Sequence, residues 1–197
     1  LNRQADTVAD RTYAPWPDFA DLMREKKIPL FGLESSMPAK DFDVVGFTMQ
    51  SELTYTNILD MLELAHIPIK SSQRSANDPI ILAGGPAISN PEAMADFLDA
   101  VVIGDGEDVI IEIKNALRAI PRENRTQRLE ALAALDGVYV PALFQPGMQI
   151  VKRVCLNLND ETKQHTEQLV PWIQPTHDRY VAEIMRGCSR GCRFCHA

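Results

Sequence analysis

DVVGFTM (43–49), TNILDMLELAHI (56–67), PIILAGGP (79–86), NPEAMADFLD (90–99), AVVIGDGE (100–107) and DVIIEIKNALRAI (108–120) follow one another along the chain. The runs 44–47, 80–83 and 100–103 are continuously apolar rather than alternating, the pattern of parallel strands covered on both faces. The stretches between them supply the covers. Ile58, Met61, Leu62 and Ala65 recur at helical spacing in the first, and Ile110, Ile113, Leu117 and Ile120 in the last. Asn90-Pro91-Glu92 predicts a helix start, with a capping side chain, a proline that needs no donor and an acid at the positive end of the dipole. Strand, helix, strand, helix, strand, helix predicts an α/β fold with a doubly wound, Rossmann-like parallel sheet over 41–120.

Outward from this unit the texture changes on both sides. Residues 1–40 mix proline, aromatic and charged residues around one short helix at 18–27 and read as a lead-in segment. Residues 121–178 read as a connector, with a Leu/Ala-rich helix at 125–135 and strand candidates in GVYVPALF and QIVKRVCLNL. From 179 the stretch HDRYVAEIMRGCSRGCRFCHA predicts a strand at 179–185 and then a glycine-punctuated cysteine loop.

Composition narrows the class. Of 197 residues, 45% are hydrophobic and 24% charged, with 10 glycines and 13 prolines, which excludes collagen-like, low-complexity and disordered chains. The net charge of -7 does not suit a chain that neutralises nucleic acid or an anionic membrane. Three of the four cysteines fall in the last ten residues, which no disulfide framework would produce, so a thiol-reduced, cytoplasmic protein is expected. No run approaches a membrane span, and the start lacks the pattern of a signal peptide. Leu1 in place of an initiator methionine, and an end two residues after Cys195, lead us to expect a fragment.

Cys188, Cys192 and Cys195 are spaced C-x3-C-x2-C, and Gly187 and Gly191 give the loop backbone freedom. Three soft thiolates aimed at one point suit an iron–sulfur cluster or zinc. Structural zinc would need a fourth ligand, either His196 or the distant Cys155, whereas a four-iron cluster on three cysteines leaves one iron open. Cys155, in an apolar run, reads as a small buried hydrophobe. His66, His165, His177 and His196 have no partner at convincing ligand spacing.

CSRGCRFC, with an aromatic residue before its last cysteine and a strand candidate ahead of it, resembles the signature loop of the radical S-adenosylmethionine (radical SAM) superfamily. GVYVP, FDVVGFTMQSELTYTNILDMLELAHIP, LAGGP, NPE and GDGE extend the similarity to bacterial radical enzymes with an N-terminal cobalamin-binding-like domain. The resemblance implies a 4Fe-4S cluster on Cys188, Cys192 and Cys195, whose fourth iron takes the amino and carboxylate groups of S-adenosylmethionine, with Phe194 against the adenine. It further implies an electron donor such as flavodoxin or ferredoxin, an unidentified substrate, and a catalytic barrel of which 179–197 is the first strand and cluster loop. Lacking that barrel, these 197 residues are not expected to catalyse alone. Arg186, Arg190 and Arg193 are placed to offset thiolate charge, although solvation is the plainer reading for Arg190.

Gly84-Gly85 and Gly104-Asp105-Gly106-Glu107 follow strands and should lie at the carboxyl edge of the sheet, where open α/β folds bind ligands. Glycine at such turns is more often geometry than binding, but the resemblance makes Gly84, Gly85, Gly104, Gly106 and Glu107 candidates for a cobalamin-like edge. The D-x-H-x-x-G motif that ligates cobalt is absent from these residues. Either the motif lies elsewhere, or cobalamin binds without a histidine, or the fold has lost the cofactor. Two other classes stand beside the enzyme: a zinc-stabilised binding module built on the Cys/His tail, and an α/β ligand-binding domain without catalysis.

Overall fold

A computed structural model describes residues 1–156, 179 and 183–194. The chain divides into two compact units, Leu1–Val154 and Cys155–Ala197.

The first unit is built on a four-stranded sheet. Helix α1 (Pro17–Lys26) precedes strand β1 (Val44–Thr48), helix α2 (Tyr55–Leu64), strand β2 (Ile80–Gly84) and strand β3 (Ala100–Val102). Helices α3 (Val109–Arg118) and α4 (Arg125–Ala133) and the short strand β4 (Val138–Tyr139) complete it. β1, β2 and β3 are parallel, Val44 opposite Ile80 and Leu82 opposite Ala100, and β4 closes the edge antiparallel to β3.

Helices cover both faces, as the apolar runs require. β2 turns Ile81 and Ala83 towards α1, α2 and the 86–98 connection, and Ile80 and Leu82 towards α3 and α4. Strand order is β1-β2-β3-β4. Among the described residues the sequence of strands does not reverse, so the mostly parallel α/β sheet is present without the doubly wound order expected of it. Right-handed crossovers that advance in one direction lie on one face, which is where α2 and the 86–98 connection pack. The opposite face is filled instead by the α3–α4 pair, which returns the chain antiparallel.

The helix expected to start at Asn90 is also corrected. Asn90 makes no capping bond, and the segment forms two short 3-10 turns, Pro86–Ser89 and Pro91–Met94. Pro91 has no N–H to extend the first turn. Asp99 must then reach back to β2, where its backbone N–H donates to the Ile81 carbonyl at 2.9 Å. The connection still buries Ile88, Met94 and Leu98.

Residues 1–40 pack into the same unit, with Ala20, Met23, Leu30 and Ala39 in the core of the α2 face. Of the expected strand in QIVKRVCLNL, the described residues give one parallel bridge, Gly104 to Arg153. Of the strand expected at 179–185, the described residues 179 and 183–185 are not in a strand, and 180–182 lie outside the described residues. No described helix is long and apolar enough to cross a membrane.

Candidate functional site

The glycine turns stand where strand polarity puts them, after β2 and after β3. Their local causes differ. Gly85 has φ +112°, and a Cβ there would lie 2.7 Å from the Met49 carbonyl oxygen. The loop after β1 is tied at this point, with Met49 N–H donating to the Gly84 carbonyl at 2.8 Å and Ala87 N–H to the Met49 carbonyl at 3.1 Å. Gly104 has φ +108°, and its Cβ would meet the Arg153 backbone, 2.8 Å from the nitrogen. Arg153 N–H donates to the Ile103 carbonyl at 2.9 Å and Asp105 N–H to the Arg153 carbonyl at 3.1 Å. Glycine at 85 and 104 is thus demanded by the packing of the chain against itself. Gly84 is in ordinary contact with Val102, while a Cβ at Gly106 would meet nothing within 4 Å among the described residues. Glu107 follows Gly106 into the turn before α3, and Glu112, in the first turn of α3, pairs with the Arg153 side chain.

The cysteine loop belongs to the second unit. Cys188 and Cys192 are exposed free thiols. Gly187 and Gly191, each just before a cysteine, have φ +79° and +64°, and among the described residues nothing lies within 4 Å of either Cβ position. The positive φ angles are what the loop's own path asks of these two glycines. Phe194 is 88% exposed, its ring available to a flat partner. Arg186 forms a two-pronged pair with Glu183, at 2.6 and 2.9 Å, and Arg190 and Arg193 are exposed. Glu183 therefore balances the charge of Arg186 in part. Cys195, His165, His177 and His196 lie outside the described residues. Cys155 is buried and not in a disulfide, and His66 is an exposed residue with φ +55° at the end of α2.

Two features escaped the sequence reading. One is a groove of about 470 Å³ along β1, bounded by Asp10–Ala14 and by α2. The other is the carboxylate of Asp10, which accepts from Ser35 Oγ at 2.7 Å and from the backbone N–H groups of Arg11, Glu34 and Ser35. Burial acts to raise its pKa, but these donors overcome it and bring the group down to about 2. The sequence signal for the groove was an apolar strand without a charge, read as covered on both faces and found at the edge of the sheet.

A parallel α/β unit followed by a cysteine loop defines the class, and comparison with known proteins gives the family. The family model described as "Radical SAM proteins, N-terminal" matches residues 1–141. The chain belongs to this family, as an N-terminal region of a radical SAM protein. It is similar to an uncharacterized protein of Methanocaldococcus jannaschii, 27% identical over 183 residues that cover 88% of this chain and 34% of that protein. The chain thus spans about a third of the length of the relative it matches. No solved structure matches.

Proposed function

We propose that the chain is part of a radical SAM enzyme in which Cys188, Cys192 and Cys195 hold three irons of a 4Fe-4S cluster. The observation that carries this reading is the cysteine loop in a chain of this family: two of its thiols are free and exposed, on a backbone turned by Gly187 and Gly191. The donor set fits the group, since soft thiolates suit iron and three ligands leave one iron for a substrate. Bound there, the cluster would pass one electron to the sulfonium of S-adenosylmethionine, breaking a carbon–sulfur bond to give methionine and a 5'-deoxyadenosyl radical that takes hydrogen from a substrate.

The chain's own residues contribute placement and charge. Phe194 offers an exposed ring to the adenine, and Arg190 and Arg193 flank the thiolates, where their charge raises the cluster potential. Glu183 tempers Arg186. The electron comes from a small redox protein such as a flavodoxin or ferredoxin, and the barrel that completes the site is supplied by the rest of the full-length protein.

The first unit is read as a cobalamin-binding-like domain. Its strand order and helix faces support this: in a flavodoxin-like 2-1-3-4-5 sheet, strands 3, 4 and 5 run in sequence with both crossovers on one face. The described residues do not show a fit to cobalamin itself, because Met49 and Arg153 hold the spaces beside Gly85 and Gly104. No step is routed through that cofactor.

Anaerobic reconstitution of the full-length protein tests the reading. About four irons and four sulfides per chain, lost in Cys192→Ala, are expected. One zinc without sulfide would establish the binding-module reading instead, and chelation would then unfold the tail without a redox change.

A further inference from the structure

We propose that the start of α4 binds a phosphate-class oxyanion, held by Arg128, Arg122 and the free N–H groups of the helix's first turn. Arg128 gives the first reason. It is the fourth residue of α4 and only 2% exposed, yet its Nε has no hydrogen-bond partner among the described residues. The charges that act on it are one carboxylate, the exposed Asp43, and two further guanidinium groups, Arg122 and Arg125. Burial presses its pKa down, Asp43 presses it up, and the two arginines press it down again. A buried cation is ordinarily paired and hydrogen-bonded, because its desolvation is otherwise uncompensated. Arg128 is short of an anion.

The helix start gives the second. It carries positive partial charge and its first N–H groups need acceptors, so acids and capping side chains collect at such positions. α4 has neither, since Asn124 makes no side-chain cap and the first turn holds no acid. The N–H groups of Arg125, Thr126 and Gln127 have no backbone acceptor among the described residues. The chain instead places Arg122, Arg125 and Arg128, every third residue, at this end. Side chains on a helix lean towards its N-terminus, so Arg128 lies back over the first turn, where Arg122 and Arg125 act on it.

The neighbouring arginines define the ligand and its place. Arg125 is committed, with Nη1 donating to the Asp78 and Pro79 carbonyls at 3.1 and 3.3 Å and Nη2 standing 2.7 Å from Asp99. Arg122 donates its terminal nitrogens to the carbonyls of Lys40, Asp41 and Asn77, at 3.2, 3.3 and 3.0 Å, while its Nε is also buried without a partner. The Nε donors of Arg122 and Arg128 and the main-chain N–H groups of the first turn are thus open to one anion. A phosphate group, with several acceptor oxygens and a double charge, matches this set better than a carboxylate. The carbonyls that Arg122 and Arg125 hold precede β1 and β2, so the site lies at the amino end of the strands. It is therefore separate from the carboxyl edge where Gly85 and Gly104 turn. Filled, it would fasten α4 to the starts of β1 and β2.

Calorimetric titration of the full-length protein with inorganic phosphate, in chloride at constant ionic strength, tests this. Binding is expected, and it should weaken about tenfold or more in Arg128→Met and in Asn124→Asp, whose new carboxylate takes the same N–H groups. Asn124 is exposed, so its variant keeps the fold whatever Arg128 contributes, and it decides alone if Arg128→Met does not fold. Glycerol 3-phosphate separates the sources of the ligand. Tighter binding than phosphate supports the phosphoryl group of a small ester, and equal or weaker binding supports the free ion. No binding of either to the parent, or an affinity unchanged in either variant, overturns the proposal and leaves Arg128 to a buried water.

Discussion

Arg74 and Asp99 form an ion pair, Nη1 to Oδ2 3.0 Å, with side chains 0% and 2% exposed. Arg74 also donates to the carbonyls of Pro68, Ile69 and Phe97, and the same Asp99 oxygen accepts from Ile81 N–H at 2.7 Å. Arg125 Nη2 stands 2.7 Å from Asp99 as a second, ionic contact. One buried pair therefore fixes the 68–74 loop, the start of β3 and the register of β2. Burial presses the pKa of Arg74 down and Asp99 presses it back up.

Breaking that pair is expected to be costly. Arg74→Met removes one charge, strands three carbonyls and leaves Asp99 with Arg125, at about 3–5 kcal/mol. Arg74→Lys should recover little, because one ammonium cannot reproduce the planar fork. Denaturant unfolding followed by circular dichroism checks both, and a loss below about 1 kcal/mol in Arg74→Met would show that the pair does not organise the unit.

The glycines of the sheet edge should separate into two kinds. Gly104→Ala places a methyl group against the Arg153 backbone at a φ of +108°, so a loss of about 2 kcal/mol or more is expected, with faster amide exchange at Arg153. Gly106→Ala meets nothing within 4 Å among the described residues and should stay within about 0.5 kcal/mol of the parent. An effect of Gly106→Ala on a bound ligand, at unchanged stability, would mark that residue as part of a site.

Asp10 gives the N-terminal unit an acid limit. Its folded carboxyl is lowered to about 2, below the ordinary value for an unfolded aspartate. The stabilisation it contributes is therefore complete above about pH 4 and is lost as pH falls towards 2. Asp10→Asn should remove this part of the pH dependence between about pH 4 and 2 and loosen the Glu34–Ser35 turn. A series of unfolding curves across that range checks it, and identical slopes in both proteins would refute it.

Cys188→Ser and Cys192→Ser are expected to leave folding stability within about 0.5 kcal/mol, since both thiols are exposed and in no disulfide. Thermal unfolding of the metal-free protein reads this directly. A loss above about 2 kcal/mol would assign the thiols a structural place in the apoprotein.

Much of this was legible in the chain. The apolar runs at 44–47, 80–83 and 100–103 marked the parallel strands, and β2 and β3 are buried on both faces, where a strand has no polar side to show. Ile113 and Leu117 placed α3 by spacing alone. The cysteine spacing and its glycines were likewise readable, since the residues of a short loop are local in sequence. Tertiary structure decided what depended on distant neighbours. A local pattern cannot distinguish a central strand from an edge strand, and β1 lies at an edge. Nor does a glycine show whether it serves a ligand or a second backbone, and Arg153, 49 residues further along, is what Gly104 accommodates. The proline-led helix at Asn90 gave way to short turns because Asp99 is drawn back to Ile81 and Arg74, contacts made only once the sheet has formed.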